Sequence, residues 1–145
     1  MFHFSRGTLD LNIGEDTSLI WQDKSIGVLT NDYGQSISIS YGKIPFGMTF
    51  IEFCDREVNT LRKQFSHFKE LSRTQGKISE LECVYTEFCW DAPQGHFHQL
   101  TAIINMVNKM PLMITATVLG EMSLSQKELF LGIIQTFKPR NESIN

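Results

Sequence analysis

The chain lacks paired cysteines, clustered positive charge and a long unbroken apolar run, and each absence removes a class of function. Cys54, Cys83 and Cys89 are three in number, with no metal-like spacing, which argues against a disulfide framework and reads as free, mostly buried thiols in a reducing compartment. The net charge of −3, from 13 basic and 16 acidic residues, supplies no field for nucleic acid. The one basic pair, Arg62-Lys63, falls on the solvated face of a predicted helix. The longest apolar stretch, Pro111 to Leu119, is interrupted by Thr115 and Thr117 and is far below the roughly 20 residues that span a bilayer. The start, Met1 to Gly7, has neither a basic segment followed by an apolar run nor a cysteine to carry lipid. A cytoplasmic protein without direct membrane insertion is therefore expected. Dinucleotide-binding, phosphate-loop and nucleophile-elbow signatures are all missing, and no carboxylate pair is placed by spacing, so no enzyme and no cofactor are expected.

What is present is enough for one well-packed domain. The 145 residues are 41% hydrophobic and 20% charged, with eleven Phe, and a chain of this length buries roughly 70% of its unfolded surface without staples. A single domain over residues 1–139 with a frayed tail over 140–145 is expected. Alternation predicts strands over Leu9–Ile13, Ile20–Thr30 and Ser36–Tyr41, with a polar loop at Gly14–Thr17 and a turn at Asn31–Gly34. Thr49 and Glu52 form a capping box ahead of a helix over Phe50–Ser66, whose apolar stripe is Phe50, Cys54, Val58, Leu61 and Phe65. Strands follow over Phe68–Gln75, Glu80–Trp90, His96–Val107 and Leu112–Leu119, with Asp91–Gly95 as a hairpin loop. Ser125 and Glu128 suggest a second capping box, opening a helix that ends near Pro139. The order predicts an α+β fold: a curved, largely antiparallel sheet of about six or seven strands with two main helices.

Two constellations invite chemistry and are weighed against it. His96 and His98 share a strand face, with Cys89 across the hairpin, but zinc needs three or four convergent ligands. The reading is two exposed histidines near a turn, and no metal site is expected. Cys54 with His67 would make a nucleophile and base, yet Cys54 lies on the apolar helix stripe, whereas a reactive thiol needs a partly exposed, electropositive setting.

The second face of the sheet is less ordinary. Opposite Ile37 and Ile39 stand Ser36, Ser38 and Ser40; opposite Leu100, Ala102 and Ile104 stand Gln99, Thr101 and Ile103. Opposite Leu112, Ile114, Ala116 and Val118 stand Met113, Thr115, Thr117 and Leu119, while Ile26 and Val28 share a face. A solvated sheet usually carries Lys, Glu and Arg. This one offers hydroxyls, an amide and isolated aliphatics, which fits either a face covered by a helix or dimer partner, or a ligand platform of low charge.

Several segments together resemble the DcrB-related family, of Mog1/PsbP-like fold. They are Leu9-Asp10-Leu11, Trp21-Gln22-Asp23-Lys24-Ser25-Ile26, Ser36 to Ser40, Asp55-Arg56-Glu57, Lys63 to Phe68, and the hairpin from Glu87-Phe88-Cys89-Trp90 to His98-Gln99. Within that family the likeness extends to the Eag chaperones of type VI secretion. The resemblance implies a cytoplasmic, homodimeric adaptor-chaperone that binds the N-terminal transmembrane helices of an effector and aids its loading onto a VgrG or PAAR spike. It also implies a groove lined by Ile26, Val28, Ser38, Glu57, Phe65 and Gln99. The loop Gly14–Leu19 departs from the family pattern in its length. The alternative implied is a DcrB-like or Mog1-like non-enzymatic binding protein with a different partner.

Overall fold

The computed structural model describes residues 1–4, 6–11, 21–25, 28–31 and 34–140. The expected loops at Gly14–Thr17 and Gly14–Leu19, the groove candidate Ile26, and residues 141–145 of the tail lie outside the described residues. Among the described residues two sheets and two helices are formed. The larger sheet has seven strands: β3 (Gln22–Ser25), β4 (Val28–Thr30), β5 (Gln35–Tyr41), β6 (Ser66–Ile78), β7 (Leu81–Ala92), β8 (Gly95–Ile104) and β9 (Leu112–Leu119). Their spatial order is β3-β4-β5-β9-β8-β7-β6, and every described pairing is antiparallel. The α+β expectation is met.

Period-2 alternation gives this sheet two chemically different faces. On one, Ile37, Leu100, Ala102, Ile104, Ile114, Ala116 and Val118 are buried beneath α2 (Leu124–Gln135), whose Phe130, Ile133 and Ile134 are wholly buried. The other face carries α1 (Phe50–Gln64), seated through Phe50, Phe53 and Cys54 on Val84 and Ile103. Thr49 caps α1 as expected: its side chain accepts from the Glu52 N–H at 3.1 Å, and Glu52 accepts from the Thr49 N–H.

Three local expectations need correction. The strand expected over Leu9–Ile13 meets only the end of β2 (Gly7–Leu9); Asp10 and Leu11 are not in a strand, and residues 12 and 13 lie outside the described residues. This β2 pairs with β1 (Phe2–Phe4) and β10 (Lys138–Pro139) in a small second sheet. Only glycine fits there, because a Cβ on Gly7 would stand 2.3 Å from the Lys138 carbonyl oxygen. The expected single strand over Ile20–Thr30 is a pair, β3 and β4, with a bulge between Asp23 and Ser25. The second capping box is built on Ser123, not Ser125. Ser123 accepts from the Gln126 N–H at 3.1 Å and Gln126 accepts from the Ser123 N–H at 2.8 Å, so α2 starts at Leu124 and ends at Gln135, short of Pro139.

Candidate functional site: a hydroxyl-lined groove beneath helix α1

Strand register places the uncharged residues of the α1 face in rows across the sheet. One row runs Thr86, Thr101, Thr115, Ser38 and Val28, across β7, β8, β9, β5 and β4. The next runs Phe88, Gln99, Thr117, Ser36 and Thr30. A third, nearer the seat of α1, is Val84, Ile103, Met113 and Ser40. Between these rows and the helix residues Glu57, Val58, Leu61 and Phe65 lies a groove of about 270 Å³.

Hydrogen bonds organise the floor. The Trp90 indole N–H donates to Gln99 Oε1 at 2.6 Å, and the Gln99 amide donates to Thr117 Oγ1 at 2.8 Å. Thr101 and Thr115 share a hydroxyl bond of 2.9 Å. Phe65, the residue that ends α1, stacks on Trp90 with ring centroids 3.9 Å apart, closing one end of the groove. Thr86 is different: it is 2% exposed, lines the groove, and its hydroxyl has no hydrogen-bond partner. Leaving a buried hydroxyl unpaired costs about 1–3 kcal/mol.

Four of the six residues implied by the resemblance, Ser38, Glu57, Phe65 and Gln99, line this one groove. Val28 sits opposite Ser38 in register and so shares its face. Thr86, Leu61 and Trp90 were missed. The alternation of Val84, Thr86, Phe88 and Trp90 against Cys83, Tyr85, Glu87 and Cys89 carried the signal. The salt bridges that join α1 to β6 lie outside the groove, where Arg73 joins Asp55 and Glu70, and Arg62 reaches Glu70 at 3.4 Å. Among the described lining residues Glu57 is the only charged one, with Arg56 3.8 Å away.

The thiol–imidazole pair that the sequence argues against does not form. Cys54 is buried in the α1 core and its pKa is pushed up to about 12 by burial and by Asp55, while His67 is exposed and pairs with Asp91 at 3.1 Å. The expectation of two exposed histidines on the hairpin is half wrong. His98 lies on the α2 face with Leu100 and Ala102 and is 4% exposed, because alternation puts it on the core side. The Met122 N–H donates to His98 Nδ1 at 2.9 Å, which leaves the ring proton on Nε2 to donate to Glu87 at 2.7 Å. Burial pushes the Glu87 carboxyl up, but bonds from Lys127 and His98 outweigh it and hold it below the usual carboxylate range. His96 bonds Asp91 at 2.7 Å, and that contact raises the His96 pKa.

Comparison with known proteins agrees with this architecture. The chain shares a TM-score of 0.67 and 18% identity with PA94, a Pseudomonas aeruginosa protein of unknown function, over 94% of this chain and 99% of that one. The PsbP protein of the cyanobacterium Synechocystis gives 0.61 and 13%, over 86% and 83% of the two chains. The apo type VI secretion immunity protein TplEi of Pseudomonas aeruginosa gives 0.53 and 13%, over 78% of this chain and 43% of that one. No curated protein sequence matches. Among the described residues no helix is long and apolar enough to cross a membrane. The sequence profile of the DcrB family matches residues 10–136, most of the chain's length, and with this PsbP-like fold the chain belongs to the DcrB family.

Proposed function

We propose that the chain is a cytoplasmic, non-enzymatic adaptor-chaperone that holds the N-terminal transmembrane helices of a type VI secretion effector. In this reading it works as a homodimer, keeps the effector soluble and aids its loading onto a VgrG or PAAR spike. The observation that carries the proposal is the groove itself: rows of Thr, Ser and Gln with Phe88, Ile103 and Met113 beneath α1, where Glu57 of the helix is the one charged residue of the described lining. A transmembrane segment exposes about 20 apolar residues, and at about 25 cal/mol per Å² its exposure to water is costly. Its holder needs apolar contact, and hydroxyls can meet the segment's polar spots without desolvating a charge. The groove takes side chains, not a whole helix of about 10–12 Å diameter, so the client lies along the face and inserts residues between α1 and the sheet. The resemblance to Eag chaperones, and the occurrence of the same fold in a type VI secretion immunity protein, support the setting.

The test is co-purification with an effector's N-terminal segment. Ser38→Asp or Val28→Asp adds a carboxylate facing apolar client surface and is expected to abolish capture while the domain still melts cooperatively. A folded Ser38→Asp variant that retains the segment at the wild-type level refutes the groove as the binding surface.

A further inference from the structure

On the opposite face of the sheet, under the loop that leads into α2, chemistry converges that the groove does not use. Cys89 and His98 are register partners on β7 and β8, and Glu121 reaches over them from the loop. The Cys89 sulfur, an imidazole nitrogen of His98 and a carboxylate oxygen of Glu121 all lie within 4.8 Å of one another. Glu121 Oε2 is 3.5 Å from His98 Nδ1, and Glu121 Oε1 is 3.2 Å from His96 Nε2. Donors bound to one tetrahedral zinc at about 2.0–2.3 Å stand roughly 3.3–3.8 Å apart, so these spacings are those of a set that could close on one ion with small adjustments.

The surroundings fit as well. Each imidazole has its remote nitrogen held by a carboxylate, His98 Nε2 by Glu87 and His96 Nδ1 by Asp91, both at 2.7 Å. That arrangement fixes tautomer and ring orientation for metal-ligating histidines. The near nitrogen of His96 is buried, and its 3.2 Å approach to Glu121 Oε1 is not a well-formed hydrogen bond. Glu121 thus turns one oxygen to each of two imidazoles, and the one facing His98 stands beside a buried thiol. Glu121 is largely exposed, which gives an ion a route in. One contact opposes it: the Met122 N–H occupies the lone pair of His98 Nδ1 and must be displaced.

We propose that Cys89, His98 and Glu121 form a site for a divalent transition metal of the zinc class, with His96 positioning Glu121 or swinging in as a fourth ligand. On binding, the Cys89 thiol gives its proton to solvent and the thiolate becomes a ligand. The ion then ties the loop before α2 to the β7–β8 hairpin. The site lies on the other face from the groove, so it stands or falls independently of the chaperone reading.

Titration of the reduced, metal-free protein with Co(II) alone tests this. The expected result is a near-ultraviolet thiolate-to-cobalt band that saturates at one equivalent, disappears in Cys89→Ser, and needs at least tenfold more cobalt in Glu121→Gln. Zinc should compete the band away and raise the melting temperature of the wild type more than that of Glu121→Gln, and not that of Cys89→Ser. Because Glu121 is exposed, Glu121→Gln keeps the fold even if Cys89→Ser does not. No thiolate band at one equivalent, a band that survives Cys89→Ser, or an affinity untouched by Glu121→Gln would each overturn the site.

Discussion

At the scale of single residues, Thr86 bears most directly on the proposed use of the groove. It stands in the middle of a strand, nearly inaccessible, with a hydroxyl that the fold leaves unpaired. Valine has the same shape without the hydroxyl, so Thr86→Val is expected to raise stability by about 1 kcal/mol, read as a higher denaturant midpoint at unchanged slope. The same variant should hold the effector segment more weakly if a client's polar group is the missing partner. A destabilisation of similar size would mean that the hydroxyl is already satisfied in the native protein. Sequence reading reached Ser38 and Gln99 because a hydroxyl or amide opposite an aliphatic is visible in a period of two. It misjudged His98 although the same period puts that residue in line with Leu100, Ala102 and Ile104. The polarity of the imidazole points to solvent and its position to the core, and position decides. What cannot be read from spacing is that Glu87 would arrive from the neighbouring strand to bond it, or that Glu121 would fold over it from a loop.

At the scale of elements, both helices were legible and their starts were not equally so. Thr49 and Glu52 compete with no neighbouring pair of the same kind, whereas α2 offers two overlapping candidates, Ser123 with Gln126 and Ser125 with Glu128. Only the bond geometry selects Ser123. Ser123→Ala is therefore expected to cost about 1 kcal/mol, while Ser125→Ala, on the first turn and exposed, should change stability by a few tenths. Chemical denaturation of the two variants side by side checks this, and the reverse order would mean that the helix begins two residues later. The β6–β7 turn illustrates a different limit. Ser79 and Glu80 take φ of 49° and 68°, the left-handed pair of a tight hairpin, without the Asn or Gly that usually announces one. Ser79 is held by its side-chain bond to the Phe137 carbonyl, a tertiary contact no local pattern contains. The small sheet of β1, β2 and β10 is hidden for the same reason, since it joins the two ends of the chain.

At the scale of the molecule, the sheet separates two cores of unequal size. Among the described residues, seventeen buried side chains form the cluster under α2 and six form the one under α1. Beyond that small cluster, α1 is tied down by Arg73 to Asp55 and Glu70 and by Arg62 to Glu70, pairs at the surface whose individual worth is about 0–1 kcal/mol and falls with salt. The roof of the groove is thus the less firmly held layer, and the proposed uptake and release of a client's side chains would call for such a roof. Native-state hydrogen exchange should find α1 amides opening at a lower free energy than those of β8 and β9, and earlier still in high salt. Arg73→Ala removes the central link and should bring α1 exchange forward without moving that of α2. The core substitutions Val58→Ala and Ile133→Ala should behave differently, the first loosening α1 alone and the second lowering the protection of the whole sheet. If α1 and the central strands exchange at one common free energy in every variant, the molecule opens as a single unit. The groove would then have to admit its client as it stands, between a fixed helix and a fixed sheet.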